Sequence, residues 1–201
     1  WLAVNGELQP IGLTSVMGIY VDADDRNSKM NAVKWVQNGL SLGEKSYYSN
    51  QDERMKMIRA EFVKHVDNLM QLSGIPVENA GEDLLNFETA LAKIQLSNVE
   101  LRDPIKTYNK VTMADIKKLS KNADWQIFAE KQRMVSDTFV VQNKKYFTDL
   151  NTLLTKTNIA TLQLYSTYQL IKDFAPYLPK AIKAERFNFY GKIKGGIKEQ
   201  K

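Results

Sequence analysis

The chain contains no cysteine and a single histidine, and these two shortages exclude several kinds of chemistry. Without cysteine, the 201 residues form no disulfide, no thiolate zinc site, no iron–sulfur cluster and no cysteine nucleophile. With His65 alone, a metal site that draws two imidazoles from this chain is also excluded. A carboxylate site for calcium or magnesium stays open, as does a carboxylate pair of the glycosidase type.

Long hydrophobic runs are also missing. No apolar stretch approaches the roughly 18 residues that cross a bilayer. A content of 43% hydrophobic and 25% charged residues, with a mean hydropathy of −0.40, is that of an ordinary soluble protein. The chain starts at Trp1, without an initiator methionine or a signal-peptide pattern, so we expect a processed product or an excised piece.

Negative charge is in deficit, with 23 acidic residues against 28 lysines and arginines and a pI near 9.2. Most of the positive surplus lies near the C-terminus, where a basic helix generally complements its own dipole in water. No RNA-binding, zinc-finger or helix-turn-helix motif accompanies it, so we expect no nucleic-acid binding. The basic residues of this segment are Lys180, Lys183, Arg186, Lys192, Lys194, Lys198 and Lys201.

A β-hairpin is predicted at about residues 11–37. Two β-type runs, residues 11–22 and 31–37, flank a polar segment rich in turn-forming residues. This segment is only faintly similar to a calcium loop, because Arg26 takes a ligand position and the loop's usual glycine and glutamate are missing. A solvated turn is therefore the prediction for the tip, whose polar residues are Asp22, Asp24, Asp25 and Asn27.

From residue 51 the hydrophobic period changes from two to 3.6, which predicts helices to about residue 191. The clearest helix covers residues 51–73, and Gly74 and Pro76 end it. Asp124 and Asn158 are suited to cap later helices. Further helices are predicted at 77–96, 112–119, around 125–128, 143–156, 159–175 and 180–191, the last ending at Gly191.

The fold class that follows is mainly α, a multi-helix bundle with a small β-hairpin or sheet element near the N-terminus. The β-prone residues 138–141 are expected to pair with the hairpin, whereas residues 102–110 show no period. Thr112 and Asp115 form a T-x-x-D pattern that resembles a capping box. We expect residues 1–201 to form one helical domain.

Sequence motifs that carry chemistry are missing. There is no P-loop, no dinucleotide-binding glycine pattern, no G-x-S-x-G and no H-E-x-x-H. His65 lies beside the apolar stripe of the helix at 51–73, where a lone imidazole is generally a boundary residue with one hydrogen bond. No catalytic partner for it can be identified. Residue pattern alone therefore predicts a soluble helical domain without a specific activity.

Three collinear stretches carry a resemblance to a known family. Residues 22–48 lead from a charged hairpin through Gln37, Gly39 and Leu40 to the pair Tyr47 and Tyr48. Two further stretches follow in the same order along the chain as in that family. The first, residues 102–128, contains R-D-P, Y-N, T and W…F, and the second, residues 146–195, ends with F…Y-G. Together the stretches resemble the neprilysin-like zinc metallopeptidases, including bacterial oligopeptidases. Many members have Arg-Asp before the tyrosine pair, where this chain has Lys45 and Ser46.

The resemblance implies the helical, non-catalytic N-terminal domain of a larger peptide-cleaving enzyme. In that family a further domain binds zinc through H-E-x-x-H and a downstream glutamate, and the helical domain forms the lid and wall of a closed chamber. We accordingly expect this chain to hold no catalytic, cofactor-binding or metal-ligating residue and to be inactive alone. Its implied partners are peptides and the catalytic domain of the same polypeptide, without membrane contact.

The resemblance also implies an extracytoplasmic location, and the lack of cysteine a bacterial-type member, since animal members are disulfide-bonded. Chamber-facing residues are expected near the hairpin and at Tyr47 and Tyr48, although packing is the favoured role for buried tyrosines. Surfaces that face the chamber or the catalytic domain are expected to be apolar.

Two other functions remain open from the residues. One is a stand-alone helical interaction module that binds an acidic or phosphate-rich partner through the basic C-terminal helix. The other is a carboxylate-based hydrolase complete in these 201 residues.

Overall fold

The computed structural model describes residues 1–197. In these residues helices predominate and four strands form one sheet, which confirms the predicted fold class. The strands are β1 (Met17–Asp24), β2 (Asn27–Gln37), β3 (Asn109–Val111) and β4 (Phe139–Val141). The helices are α1 (Leu2–Leu8), α2 (Ser46–Ser49), α3 (Glu53–Leu72), α4 (Ala80–Ile94), α5 (Met113–Leu119), α6 (Trp125–Lys131), α7 (Lys144–Lys156), α8 (Ile159–Phe174) and α9 (Lys180–Arg186), the last continued by a π-helical segment (Phe187–Lys194).

The predicted hairpin is confirmed, with a later start than expected. Strands β1 and β2 pair antiparallel from Met17 opposite Gln37 to Asp24 opposite Asn27, so the turn falls on the polar tip. The strand prediction for residues 11–16 is wrong. A 3₁₀ turn at Gln9–Ile11 ends at Gly12, whose φ of 117° is a left-handed conformation that favours glycine and breaks an extended run.

Sheet order is β1-β2-β4-β3, with β4 parallel to β2 and antiparallel to β3. The predicted pairing of residues 138–141 with the hairpin is confirmed, since Val33 lies opposite Phe139. Strand β3 overlaps the end of residues 102–110, which were predicted to be irregular. Three residues are too few to show a period of two, and the strand forms because it pairs with β4.

Helix α1, like the short α2, is missing from the sequence prediction. Its sequence, LAVNGEL, includes Asn5 and Gly6, which are weak helix formers. Packing against α6 compensates for this weakness. A Cβ at Gly6 would lie 2.8 Å from the carbonyl oxygen of Phe128, so the glycine permits the close approach.

Helix starts follow the predicted capping chemistry. Thr112 and Asp115 form the capping box, with the Thr112 N–H 3.0 Å from the Asp115 carboxylate. Asp124 accepts a hydrogen bond from the Ile127 N–H at 3.1 Å, and Asn158 accepts one from the Thr161 N–H at 2.7 Å. These local bonds set where α5, α6 and α8 begin.

The C-terminal helix corrects the sequence prediction at Gly191. We expected the helix to end there, but it continues to Lys194 as a π-helix. A Cβ at Gly191 would lie 2.5 Å from the Phe187 ring, so this glycine makes room for an aromatic side chain instead of ending the helix. Residues 198–201, including the predicted basic Lys198 and Lys201, lie outside the described part of the chain.

Aromatic side chains fill the space between the sheet and the helices. The Trp35 ring of β2 is 1% exposed and lies 5.7 Å from the rings of both Phe139 and Phe147. Trp125 and Phe128 of α6 each lie 6.0 Å from the same ring. The cluster belongs to a contiguous hydrophobic core that joins the hairpin to the helices.

Candidate functional site

The acidic hairpin tip is occupied by internal hydrogen bonds and ion pairs. Asp24 accepts a hydrogen bond from the Arg26 N–H at 2.9 Å and one from the Tyr108 hydroxyl at 2.9 Å. The Arg26 N–H holds the pKa of Asp24 below its usual range. Lys34 lies 2.8 Å from Asp25. Within residues 1–197 no group of three or more histidine, aspartate or glutamate side chains is arranged to hold a metal ion.

A polar cavity of about 520 Å³ lies beside this tip. Arg26, Tyr108, Lys110 and Asp137 are among its lining residues, and the Arg26 guanidinium lies 4.3 Å from the centre of the Tyr108 ring. The cavity can therefore offer both donors and acceptors to a polar ligand, such as a peptide backbone.

The outer half of the hairpin is exposed. Tyr20, Val21 and Met30 are 43%, 49% and 60% exposed, which leaves apolar side chains in water on a β-ribbon. The hairpin, where chamber-facing residues were predicted, is thus accessible, whereas Tyr48 of the predicted tyrosine pair is buried.

Residues 37–48, which we call the motif loop, contain the residues that carry the family resemblance. The Gln37 side chain forms a reciprocal pair with the backbone of Leu96, at 2.7 and 2.8 Å. Gly39 has a φ of 97°, and a Cβ there would lie 2.3 Å from the Tyr165 hydroxyl. Leu42 is fully buried. The motif therefore fixes the path of the chain between β2 and α2.

Lys45 and Ser46 stand at the positions where many family members have Arg-Asp, and within residues 1–197 Lys45 forms no ion pair with a carboxylate. Lys45 Nζ donates to the carbonyl oxygens of Lys93, at 3.3 Å, and Gln95, at 2.9 Å. This cation therefore caps the C-terminal end of α4, where it complements the helix dipole. The Ser46 hydroxyl donates to the nearby carboxylate of Glu44.

The favoured packing role is confirmed for Tyr48. Its side chain is 5% exposed, and its hydroxyl donates to Glu88 while accepting a hydrogen bond from the Leu42 N–H at 3.0 Å. Tyr47 is half-buried, with Lys194 Nζ 4.8 Å from its ring centre. Tyr48 cannot face a chamber, since its polar end points into the core.

Glu88 is the polar centre that the sequence prediction missed. It is 0% exposed, and four donors converge on its carboxyl group. The Ser41 N–H lies at 3.0 Å, the Ser41 hydroxyl at 2.5 Å and the Gln169 amide at 3.2 Å, and Tyr48 is the fourth donor. The sequence did carry a signal of a buried carboxyl group, because Glu88 lies four residues after Leu84 and therefore on the apolar stripe of α4.

His65 is buried, not at the boundary as predicted. It is 1% exposed, its Nδ1 lies 2.9 Å from the Glu185 carboxylate, and its ring stacks on Phe189 at 4.7 Å. Burial lowers the pKa of His65 more than Glu185 raises it. The predicted single hydrogen bond is confirmed, and the partner, 120 residues away in the chain, was beyond the reach of a local pattern.

Comparison with known proteins identifies the chain. The family model for the N-terminal part of peptidase family M13 matches residues 1–201. The chain belongs to peptidase family M13. Endothelin-converting enzyme 1 of Cavia porcellus is 31% identical over 169 residues, which cover 80% of this chain and 22% of that enzyme. The resemblance to a zinc metallopeptidase family is thus confirmed.

Solved structures agree with the assignment to family M13. The open-state structure of the Mycobacterium tuberculosis zinc metalloprotease Zmp1 superposes with a TM-score of 0.90 at 26% identity, covering all of this chain and 32% of that one. PepO of Lactobacillus rhamnosis shares the fold, with a TM-score of 0.75 at 14% identity and coverage of 96% and 31%. The M13 chain described here spans about a fifth to a third of the length of these relatives.

The basic C-terminal segment of this M13 chain is partly used in internal contacts. The Arg186 side chain donates to the carbonyl oxygen of Lys172 at 3.1 Å, and Lys192 lies 6.0 Å from the Phe187 ring centre. Lys180 and Lys183 are exposed. In residues 1–197, no helix has the length and apolar character needed to cross a membrane.

Proposed function

We propose that this chain is the helical, substrate-enclosing part of a zinc metallopeptidase that cleaves peptides. The observation that carries the proposal is the family match over residues 1–201, combined with relatives that are three to four times longer and are named as a converting enzyme and a zinc metalloprotease. In this proposal the 201 residues act as one unit, as wall and lid of the chamber, and the zinc is held by residues outside them.

The side chains of this chain support such a division of labour. The one imidazole, His65, is buried against Glu185 and Phe189. A catalytic zinc generally takes three protein ligands, commonly histidines with a carboxylate. The carboxylates of Asp24 and Glu88 are already engaged by hydroxyl and N–H donors.

We assign the enclosing role to the outer half of the hairpin. Its exposed apolar residues are Tyr20, Val21 and Met30, and Met30 lines the polar cavity together with Arg26 and Tyr108. An exposed ribbon with apolar side chains next to backbone-binding groups suits contact with extended peptides and with a second domain.

The first experiment concerns the reading frame that encodes this chain. We expect H-E-x-x-H followed by a downstream glutamate motif beyond Lys201. A complete reading frame without that motif would contradict the peptidase proposal.

The second experiment measures cleavage by the complete enzyme with Met30→Ser in the hairpin. We expect a several-fold change in kcat/KM for long peptides, with zinc content and cleavage of a short fluorogenic peptide unchanged. The matched control is Ile159→Ser, because Ile159 of α8 is also 60% exposed but lies outside the hairpin. Equal effects of the two variants would refute the hairpin assignment.

The isolated 201-residue chain is expected to show no turnover of peptides or glycosides. We also propose an extracytoplasmic location for the complete enzyme, in keeping with the family resemblance. Fractionation of the native cells tests this, and recovery of the enzyme in the cytoplasmic fraction would overturn it.

The alternative function, binding of an acidic partner through the basic C-terminal helix, has Lys180, Lys183 and Lys192 among its exposed cations. It predicts an affinity for heparin or nucleic acid that falls steeply with salt. The peptidase proposal predicts weak affinity with little dependence on salt.

A further inference from the structure

We propose that Glu88 is a proton-binding switch that controls how firmly the motif loop is held to the helices. The loop lies against α4 and α8, and Glu88 is where the three meet: Ser41 and Tyr48 reach it from the loop, and Gln169 reaches it from α8. This inference concerns the chain itself and does not depend on the peptidase proposal.

In the part of the chain that the structure describes, the Glu88 carboxyl group forms no ion pair. Lys172 Nζ bonds to the side-chain oxygen of Gln169 and lies 3.2 Å from Asp173, so its charge acts on the pKa of Glu88 from a distance, without contact. Four donors favour the ionised carboxylate, whereas complete burial favours the protonated acid. Burial has the larger effect and raises the pKa of Glu88 to about 7.

Both protonation states of Glu88 can be hydrogen-bonded in this cluster. The Ser41 N–H and the Gln169 amide are fixed donors, but the hydroxyls of Ser41 and Tyr48 can rotate to accept. A protonated Glu88 therefore donates to one hydroxyl while it still accepts from the fixed donors. The proton can be taken up or released without rebuilding the core.

The tyrosines around Glu88 do not titrate in the neutral range. Burial raises the pKa of each surrounding tyrosine above its ordinary value. Lys172 supplies a positive charge that acts on Glu88 without contacting it. Beyond the tyrosines lies the buried pair His65 and Glu185, which contacts Tyr190 through the imidazole ring. The tyrosines are Tyr48 from α2, Tyr165 and Tyr168 from α8, and Tyr190 from the π-helical segment.

The direction of the switch follows from linkage. Opening of the motif loop exposes Glu88 to water, where its pKa returns to the ordinary value near 4.3. Between that value and about 7, the closed loop binds the proton more tightly than the open loop does. Raising the pH through this range therefore favours opening, by a factor on the order of 100 in the opening equilibrium.

The first test follows the ¹³Cδ resonance of Glu88 in the isotope-labelled 201-residue chain. We expect the resonance to titrate with a midpoint near 7. A midpoint near 4.3, the ordinary glutamate value, overturns the proposal.

The second test measures hydrogen exchange of the Ser41 and Leu42 amides at pH 5 and pH 8, corrected for intrinsic exchange. We expect the opening constant to rise on the order of 100-fold in the wild type. It should stay flat in Glu88→Gln, which cannot ionise. The matched control, Glu82→Gln, changes an exposed glutamate of the same helix and should retain the wild-type rise.

A wild-type rise that persists in Glu88→Gln overturns the switch. Should Glu88→Gln fail to fold, Tyr48→Phe keeps the proposal falsifiable. This variant removes one donor to the carboxylate, so the ¹³Cδ midpoint should move to higher pH. An unchanged midpoint contradicts the proposed cluster.

Discussion

Two glutamates of this chain receive the same pair of donors from a serine and respond in opposite ways. Glu88 accepts the N–H and the hydroxyl of Ser41, at 3.0 and 2.5 Å. Glu100 accepts the N–H and the hydroxyl of Ser97, at 2.8 and 2.9 Å. The pKa of Glu88 is raised to about 7, whereas that of Glu100 is lowered to about 2.

The surroundings explain the difference. The Glu100 side chain is 42% exposed and has Lys106 Nζ at 3.2 Å, so its hydrogen bonds stabilise a charge that water also solvates. Glu88 is fully buried and has no cation in contact, so desolvation outweighs even four donors. Donor count alone therefore does not predict the ionisation of a carboxyl group.

The largest expected effect is the loss of stability in Glu88→Ala. The substitution leaves the Ser41 N–H, the Tyr48 hydroxyl and the Gln169 amide without their buried acceptor, and we expect a loss of about 3 kcal/mol in the free energy of unfolding. Urea unfolding at pH 7 measures it. Glu100→Ala is the matched surface variant, and a comparable loss in that variant would remove the distinction between the two sites.

Ser41→Ala should have the next largest effect. The Ser41 hydroxyl donates to Glu88 and accepts a hydrogen bond from the Gln169 amide at 2.9 Å, so its removal leaves buried polar atoms unpaired. We expect a loss of about 1–3 kcal/mol. Ser97→Ala deletes the corresponding hydroxyl at the surface, and thermal unfolding of both variants should show the smaller shift for Ser97→Ala.

The two sites should also differ in their dependence on pH. Because the pKa of Glu100 is depressed, its contribution to stability is present above the ordinary value and is lost as the pH falls toward about 2. Glu88 has the reverse dependence, with its contribution present in acid and lost as the pH rises through about 7. The free energy of unfolding is measured against pH for the wild type, Glu88→Gln and Glu100→Gln, and the difference from the wild type gives the pH dependence that each glutamate contributes. Two contributions that change with pH in the same direction would contradict the comparison.

Lys106→Ala is expected to have the smallest effect. The Ser97 N–H is the largest cause of the lowered pKa of Glu100 and remains in place when the lysine is removed, so the pKa of Glu100 should stay below its ordinary value in Lys106→Ala. Side-chain ¹³C titration of Glu100 in this variant measures it. A return of the pKa to the ordinary value would assign the shift to the ion pair instead of the serine.

Local chemistry made much of the fold predictable. The caps at Thr112, Asp124 and Asn158 act within one turn of their own side chains, and the sequence places all three correctly. Helix α1 and strand β3 could not be predicted, because contacts with α6 and β4 decide them.

The polar cluster shows the same limit more sharply. Ser41, Glu88 and Gln169 are separated by 47 and 81 residues, so no pattern of periodicity joins them. The prediction of function came from three stretches that resemble one family in the same order, since residue chemistry alone indicated only a helical domain.

The parallel pairing of β2 with β4 has a consequence for how the chain folds. Val33 meets Phe139, and the Trp1 indole donates to the carbonyl oxygen of Leu162 at 2.9 Å. A ribosome adds roughly 5–20 residues per second, so the N-terminal hairpin waits about ten seconds for its partners. Contacts of such long sequence separation slow folding. During translation the edge of β2 that pairs with β4 therefore stays open until Phe139–Val141 has been made, and together with the exposed Val21 and Met30 it favours aggregation of the nascent chain.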